Sequence, residues 1–259
     1  MSFQKYAPKT YKKLSSANLW SGIKATSYVN ALLTGTKWGD INPDKGKKIK
    51  FLYYLSKKGD NYENKYNSVN ILKYEKNTIK NAMKAFSDVA NISFKQTSKK
   101  IKANIKWAIL NDKDSDGNLG MAYLPNGYKL SGLTTINYTA YEQYGSKSLQ
   151  PGSYYFLTFT HELGHALGLA HPHSKNYSYG TFPGVSKGSS YDFGAHKLNG
   201  SPWTVMTYNE TNEQGKYNPK YAAHSGFSTN IGAFDIAAIQ YIYGANKNKN
   251  KGNNVYKLS

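Results

Sequence analysis

The sequence contains no cysteine, which excludes a disulfide framework. Arginine is missing as well, so all 34 basic residues are lysine. Arginine is the bidentate reader of phosphate and guanine, and its absence argues against a nucleic-acid partner despite a formal charge of +19. Lysine, asparagine and tyrosine are abundant together, a chain-wide bias that leaves a solvated lysine surface rather than a selected binding face. Runs such as Lys45-Gly46-Lys47-Lys48 are short and turn-like. An affinity for acidic protein or polysaccharide surfaces is compatible with the charge. No apolar run approaches the roughly 20 residues needed to cross a bilayer. Met1-Ser2-Phe3-Gln4-Lys5-Tyr6 lacks the apolar core of a secretory leader. At 259 residues the chain suits one sizeable domain, or two small lobes sharing a cleft, with a buried core.

The densest chemical signal is Thr160-His161-Glu162-Leu163-Gly164-His165-Ala166-Leu167-Gly168-Leu169-Ala170-His171. On a helix, residues four apart share a face, so His161 and His165 can converge on one ion. His171 follows His165 by six residues, and a continuous helix would carry it about 9 Å further along the axis. Zinc ligands must all lie about 2.0–2.1 Å from the metal. The helix must therefore end before His171, and Gly168 stands where a left-handed residue would close it and return the chain. Glu162, beside the first ligand, is placed to act as general base on water at the open fourth position. A short His-Glu-x-x-His pattern can arise by chance on an amphipathic helix. Five fixed residues over an eleven-residue span, inside an apolar segment starting near Tyr154, are far more specific.

Downstream, Trp203-Thr204-Val205-Met206-Thr207-Tyr208 supplies a candidate Met-turn. With it the chain resembles the metzincin zinc peptidases, and among them the catalytic domain of serralysins. The resemblance implies that Met206 forms a hydrophobic floor under a single catalytic zinc held by His161, His165 and His171. It also implies that Tyr208 is a fifth ligand at rest that swings away to hydrogen-bond the oxyanion. Ser87 to Phe94 and Ala103-Asn104-Ile105 are similar to the segments around the family's backing helix. Ala122-Tyr123-Leu124-Pro125-Asn126 is similar to its substrate-binding edge strand, and Phe234 to Asn246 to its C-terminal helix. Asp235 reads as a helix-start residue accepting backbone N–H bonds, not as a catalytic one. Without cysteine, no cysteine-based latency switch can exist, in keeping with serralysins.

The expected fold is α+β: a twisted mixed sheet, a backing helix and an active-site helix, then an irregular C-terminal lobe ending in a helix. One catalytic domain spans residues 1–259. Residues 1–37 form an N-terminal segment in which a propeptide would lie, residues 38–171 the first subdomain and residues 172–259 the second. Hydrophobic spacing predicts a short helix over Thr26–Thr34, a strand over Ile49–Ser56, a polar stretch over Lys57–Asn67 and the backing helix over Tyr74–Ala90. Strands are predicted over Ile92–Gln96, Ala103–Leu110, Met121–Leu124 and Leu133–Tyr138. Pro202, Trp203 and Thr204 are expected to wall the pocket for the residue after the cut.

Asn111-Asp112-Lys113-Asp114-Ser115-Asp116-Gly117-Asn118 resembles the start of a calcium loop. The twelfth position from Asp112 is Tyr123, where such a loop needs glutamate, so a plain turn competes with calcium there. His173, His196 and His224 have no ligand-like spacing to the main motif, and His173 stands where serralysin-like sequences usually carry glycine. The tail from Lys247 to Asn254 reads as a solvated linker or chain end. In serralysins a similar segment leads into Gly-Gly-x-Gly-x-Asp calcium repeats that carry the secretion signal, and no such repeats follow here. The family points to an extracellular, monomeric enzyme acting on protein or peptide substrates. A catalytically silent zinc module and a basic surface-binding protein are the alternatives.

Overall fold

In the computed structural model, the described residues are 11–13, 27–39, 48–175, 180–186, 188–209, 223–249 and 252. Residues 1–10 and 14–26, the lysine run at 45–47 and most of the tail lie outside them, with the expectations placed there. The core is a five-stranded sheet of β3 (Ile49–Leu55), β6 (Ile92–Gln96), β7 (Ile105–Leu110), β8 (Gly120–Ala122) and β9 (Leu133–Asn137). Its order is β6-β3-β7-β9-β8, parallel throughout except for β8, which pairs antiparallel with β9 and forms one edge. Every residue of β7 and of β9 is buried, as central parallel strands require.

The backing helix α2 (Lys73–Val89) buries Ile79, Ala82, Met83 and Phe86, one face at i, i+3, i+4, i+7 spacing. Glu75 turns back to accept the Leu72 N–H and takes the Tyr141 hydroxyl on its other oxygen. Helix α3 (Tyr154–Leu167) packs against α2 and lies over β8 and β9. Phe159 of α3 stacks on Trp107 of β7, with ring centroids 5.9 Å apart. The C-terminal helix α4 (Ala233–Tyr243) closes the molecule.

Several elements differ from the sequence reading. The first helix, α1, spans only Ser27–Asn30, because Leu33 leaves it to bridge to Leu169. Thr36–Trp38 form a strand, β2, which pairs with β1 (Tyr11–Lys13). The polar stretch contains a hairpin of β4 (Asn61–Tyr62) and β5 (Tyr66–Asn67), turned by Glu63 and Asn64 at positive φ and anchored by the buried rings of Tyr62 and Tyr66. A 3-10 turn over Lys100–Lys102 delays the start of β7 to Ile105. Among the described residues between Pro172 and α4, the only helical element is a 3-10 turn over Ala195–Lys197, so that lobe is irregular as expected.

Candidate metal centre

Helix α3 ends at Gly168, which is left-handed at φ 107°. Leu169 N–H reaches back to Gly164 O and Gly168 N–H to His165 O, the bond pattern of a glycine-terminated helix. The last carbonyls of a helix need outside donors, and here three side chains supply them. Trp38 Nε1 donates to Ala166 O, the Tyr243 hydroxyl to Leu167 O and Thr34 Oγ1 to Gly168 O. Ala170 N–H then pairs with Leu32 O, and the chain delivers His171 to the face that carries His161 and His165. A β-carbon at Gly168 would fall 2.4 Å from Thr36 O, so no other residue fits this turn.

The three Nε2 atoms form a triangle with sides of 3.1 Å (His161–His165), 2.9 Å (His165–His171) and 3.0 Å (His161–His171). Tetrahedral ligands at the zinc–nitrogen distance lie about 3.3 Å apart, so the triangle fits one such ion with small adjustment. His161 Nδ1–H donates to Val205 O at 2.7 Å and His165 Nδ1–H to Leu169 O at 2.8 Å. Carbonyls only accept, so both rings carry their proton on Nδ1 and turn a free lone pair on Nε2 inward. Burial lowers the pKa of His161 to about 4 and of His165 to about 3, and holds His171 well below the usual range, with the neighbouring imidazoles adding to the shift for His165 and His171. All three are neutral at neutral pH, the state in which imidazole binds metal. Among the described residues no other group of three potential ligands converges in this way.

Glu162 is buried next to His161, and burial raises its carboxyl pKa to about 8. A divalent cation in the histidine triangle would oppose that shift by favouring the carboxylate. Gly120 on β8 makes room for it, because a β-carbon there would lie 2.7 Å from Glu162 Cγ. Met206 is fully buried beneath α3, and a β-carbon on Gly164 would meet its Sδ at 2.6 Å. Its loop is held by Asp235, which accepts from Thr204 Oγ1 (2.6 Å), Val205 N (2.7 Å) and Gly232 N (2.8 Å). Asp235 therefore does more than start α4: through Val205 it is one residue away from the carbonyl that orients His161. Tyr208 is 47% exposed, with its ring centroid 4.6 Å from that of His171 and 5.8 Å from that of His161. Burial, then the nearby Glu162, push its hydroxyl up to about 12.

Two cavities meet across His161, Glu162 and Tyr208 to make one cleft. The smaller, about 310 Å³, is bordered by Met121 and Ala122 of β8 and by Leu124 just beyond the strand. The larger, about 390 Å³, is lined by Tyr154, Leu157, Thr158, Tyr191, Val205 and Phe227, among others. Two sets of expected residues lie away from these cavities. Pro202, Trp203 and Thr204 do not line the larger cavity: Thr204 is buried against Asp235 and Trp203 points to solvent, leaving Ser201, Val205 and Thr207 as that wall. Tyr123 alternates to the opposite face, where its hydroxyl meets that of Tyr66 at 2.8 Å. Leu157 and Thr158 had a readable signal, since they sit four and three residues before His161 on one helical face. Tyr191 and Gly120 had none.

In the aspartate-rich segment the carboxylates take separate partners: Asp112 accepts from Asn137, Asp114 from Asn67, and Asp116 pairs with Lys65. His224 meets the ring of Tyr144, and His196 sits at positive φ in its turn. His173, by contrast, is buried against His171.

The family model of the matrixins matches residues 54–183, half of the chain and all of the histidine triangle. The chain is 29% identical over 223 residues to a serralysin of Photorhabdus sp. (strain Az29), covering 85% of this chain and 44% of that protein. It is 35% identical over 181 residues to serralysin C of Dickeya chrysanthemi (68% and 34%) and 30% identical over 195 residues to a serralysin of Proteus mirabilis (70% and 37%). The chain thus spans less than half the length of these curated relatives. Among the described residues no helix is long and apolar enough to cross a membrane. With the helix break, the histidine triangle and the buried methionine beneath it accounted for, the chain belongs to the matrixin family of zinc metallopeptidases.

Proposed function

We propose that the protein is a serralysin-type zinc endopeptidase that cuts internal peptide bonds of proteins. The observation that carries this reading is the triangle of Nε2 atoms beside a buried carboxylate, both opening on one cleft. His161, His165 and His171 would hold the ion, joined at rest by Tyr208. A bound zinc supplies Lewis acidity toward a carbonyl and acidifies water. Glu162 takes a proton from water on its carboxylate and hands it to the departing amine nitrogen. Tyr208, once swung away from the ion, donates its hydroxyl hydrogen in a hydrogen bond to the developing oxyanion.

An extended substrate adds to the sheet edge. Leu119 O and both backbone groups of Tyr123 are bonded inward, toward Asn137, Gly132 and Leu133. By strand alternation Gly120 and Ala122 turn their N–H and C=O outward to the cleft, which makes recognition tolerant of side-chain sequence. The walls of the larger cavity, with Leu157, Val205 and Phe227, suit a bulky apolar side chain next to the scissile bond. On the same reading the enzyme is monomeric and acts outside the cell. Because residues 32–38 brace the end of α3, self-processing of the N-terminal segment would stop short of them.

Metal analysis of untreated and chelator-treated protein, paired with casein cleavage, tests this function. One zinc per chain is expected, with cleavage abolished by the chelator and reduced about 10³-fold or more in Glu162→Ala. Zinc without cleavage would instead mark a silent binding module. A chain that takes up no zinc would leave only the basic surface-binding alternative.

A further inference from the structure

The three histidines of the triangle are not supported alike. His161 and His165 each have an Nδ1–H fixed by a backbone carbonyl. Among the described residues the His171 ring has no such partner: its only hydrogen-bond-range contacts are the Nε2 atoms of the other two. Metal-ligating imidazoles are normally held in orientation by a group on the second nitrogen. What holds His171 is a ring. His173 lies parallel to it, with centroids 5.1 Å apart and planes 9° from parallel, an offset stack. The same ring meets Tyr208 at 5.1 Å and 50°, so His173 touches the third histidine and the tyrosine beside it at once.

His173 is in this place at a cost. It is only 9% exposed and its Nδ1 is buried with no hydrogen-bond partner. An unsatisfied buried nitrogen destabilises a fold, and a phenyl ring would fill the same flat space without that penalty. Neither cavity of the cleft is lined by His173, so the ring does not reach substrate. Its backbone carbonyl accepts from Gly188 N, which ties its position to the loop that carries Tyr191.

We infer that His173 is a positioning residue for the metal centre: its stacked ring fixes the plane of His171, in place of the missing hydrogen bond, and backs Tyr208. The inference rests on the reading that the triangle holds zinc. It is the flat face of the ring that acts, not its nitrogens.

The test is the rate at which zinc-loaded protein loses its metal to excess chromogenic chelator, compared among wild type, His173→Ala, His173→Leu and His173→Phe. Circular dichroism checks that each is folded. His173→Ala and His173→Leu should release zinc about tenfold faster or more, the usual scale for losing a ligand's support. His173→Phe should stay close to wild type. If His173→Ala does not fold, the Leu and Phe variants decide between them, since both fill the site and only one is flat. Leucine at the wild-type rate, or phenylalanine as fast as leucine, overturns the inference. His165→Ala serves as the control for the reading beneath it. A wild-type chain that binds no zinc removes both claims, whereas zinc that depends on His165 but not on His173 removes this one alone.

Discussion

Residues 48–171 hold their side of the cleft by regular structure, whereas residues 180–209 hold theirs by side chains bonded to backbone. On the first side, two buried strands and two packed helices place His161, Glu162 and His165, and the local hydrogen bonds are mostly ladder and helix bonds. On the second side, Asn199 and Asn209 both donate to Asp192 O, Asn209 also donates to Asn199 O, and Asp235 alone gathers three donors. Regular structure spreads its support over many weak contacts. The irregular lobe concentrates it on a few polar groups, so single substitutions there should act more strongly.

Two buried ionisable groups outside the histidine triangle, Asp235 at the start of α4 and Lys106 in β7, are treated differently. Asp235 has three hydrogen bonds, which partly offset the burial that raises its pKa to about 6. Lys106, in the middle of β7, has one, from Nζ to Ser131 O, and burial, then the charge of Lys100, lower its pKa to about 8. One group organises a loop, whereas the other is met by a single backbone carbonyl.

The sharpest way to break the comparison is Asp235→Ala. It strands the Val205 and Gly232 N–H groups and the Thr204 hydroxyl in a dry site, and a loss of about 4 kcal/mol is expected from urea unfolding. A loss below about 1 kcal/mol would show that the lobe is held elsewhere. Lys106→Met should have a smaller effect of opposite sign, a gain on the order of 1 kcal/mol at pH 7. The sign with pH follows from linkage. A base whose folded pKa is lowered binds its proton less tightly when native, so wild-type stability should rise as pH goes from about 8 toward 10.5. Lys106→Met should flatten that rise in urea midpoints measured across the window, and an unchanged slope would count against the assignment.

The same contrast accounts for what was legible in the sequence. Backing helix α2 is readable to within a residue because its burial follows the 3.6 period, and strands β3 and β6 because each is a short run rich in β-branched or aromatic residues that gives way to polar ones. The stop of α3 was readable because no other way exists to bring His171 to the pair four residues apart. The β4–β5 hairpin was not, since Asn61-Tyr62-Glu63-Asn64-Lys65-Tyr66-Asn67 contains no apolar run and owes its order to two tyrosines buried by tertiary packing. In the irregular lobe, Met206 and Tyr208 were found by their motif. The supporting net of Asp192, Asn199 and Asn209 was invisible, because side chain to backbone bonds across seven to seventeen residues leave no periodic trace. His173 stands out in the sequence only by replacing the family's glycine, because spacing alone cannot reveal a stacked ring.

The central claim is that His161, His165 and His171 converge on one zinc ion. Diffraction from crystals of the zinc-loaded protein, recorded on both sides of the zinc absorption edge, tests it without reference to activity. The account requires one anomalous peak within about 2.0–2.1 Å of all three Nε2 atoms. No zinc peak at the triangle, or a single peak bound elsewhere on the chain, would contradict it.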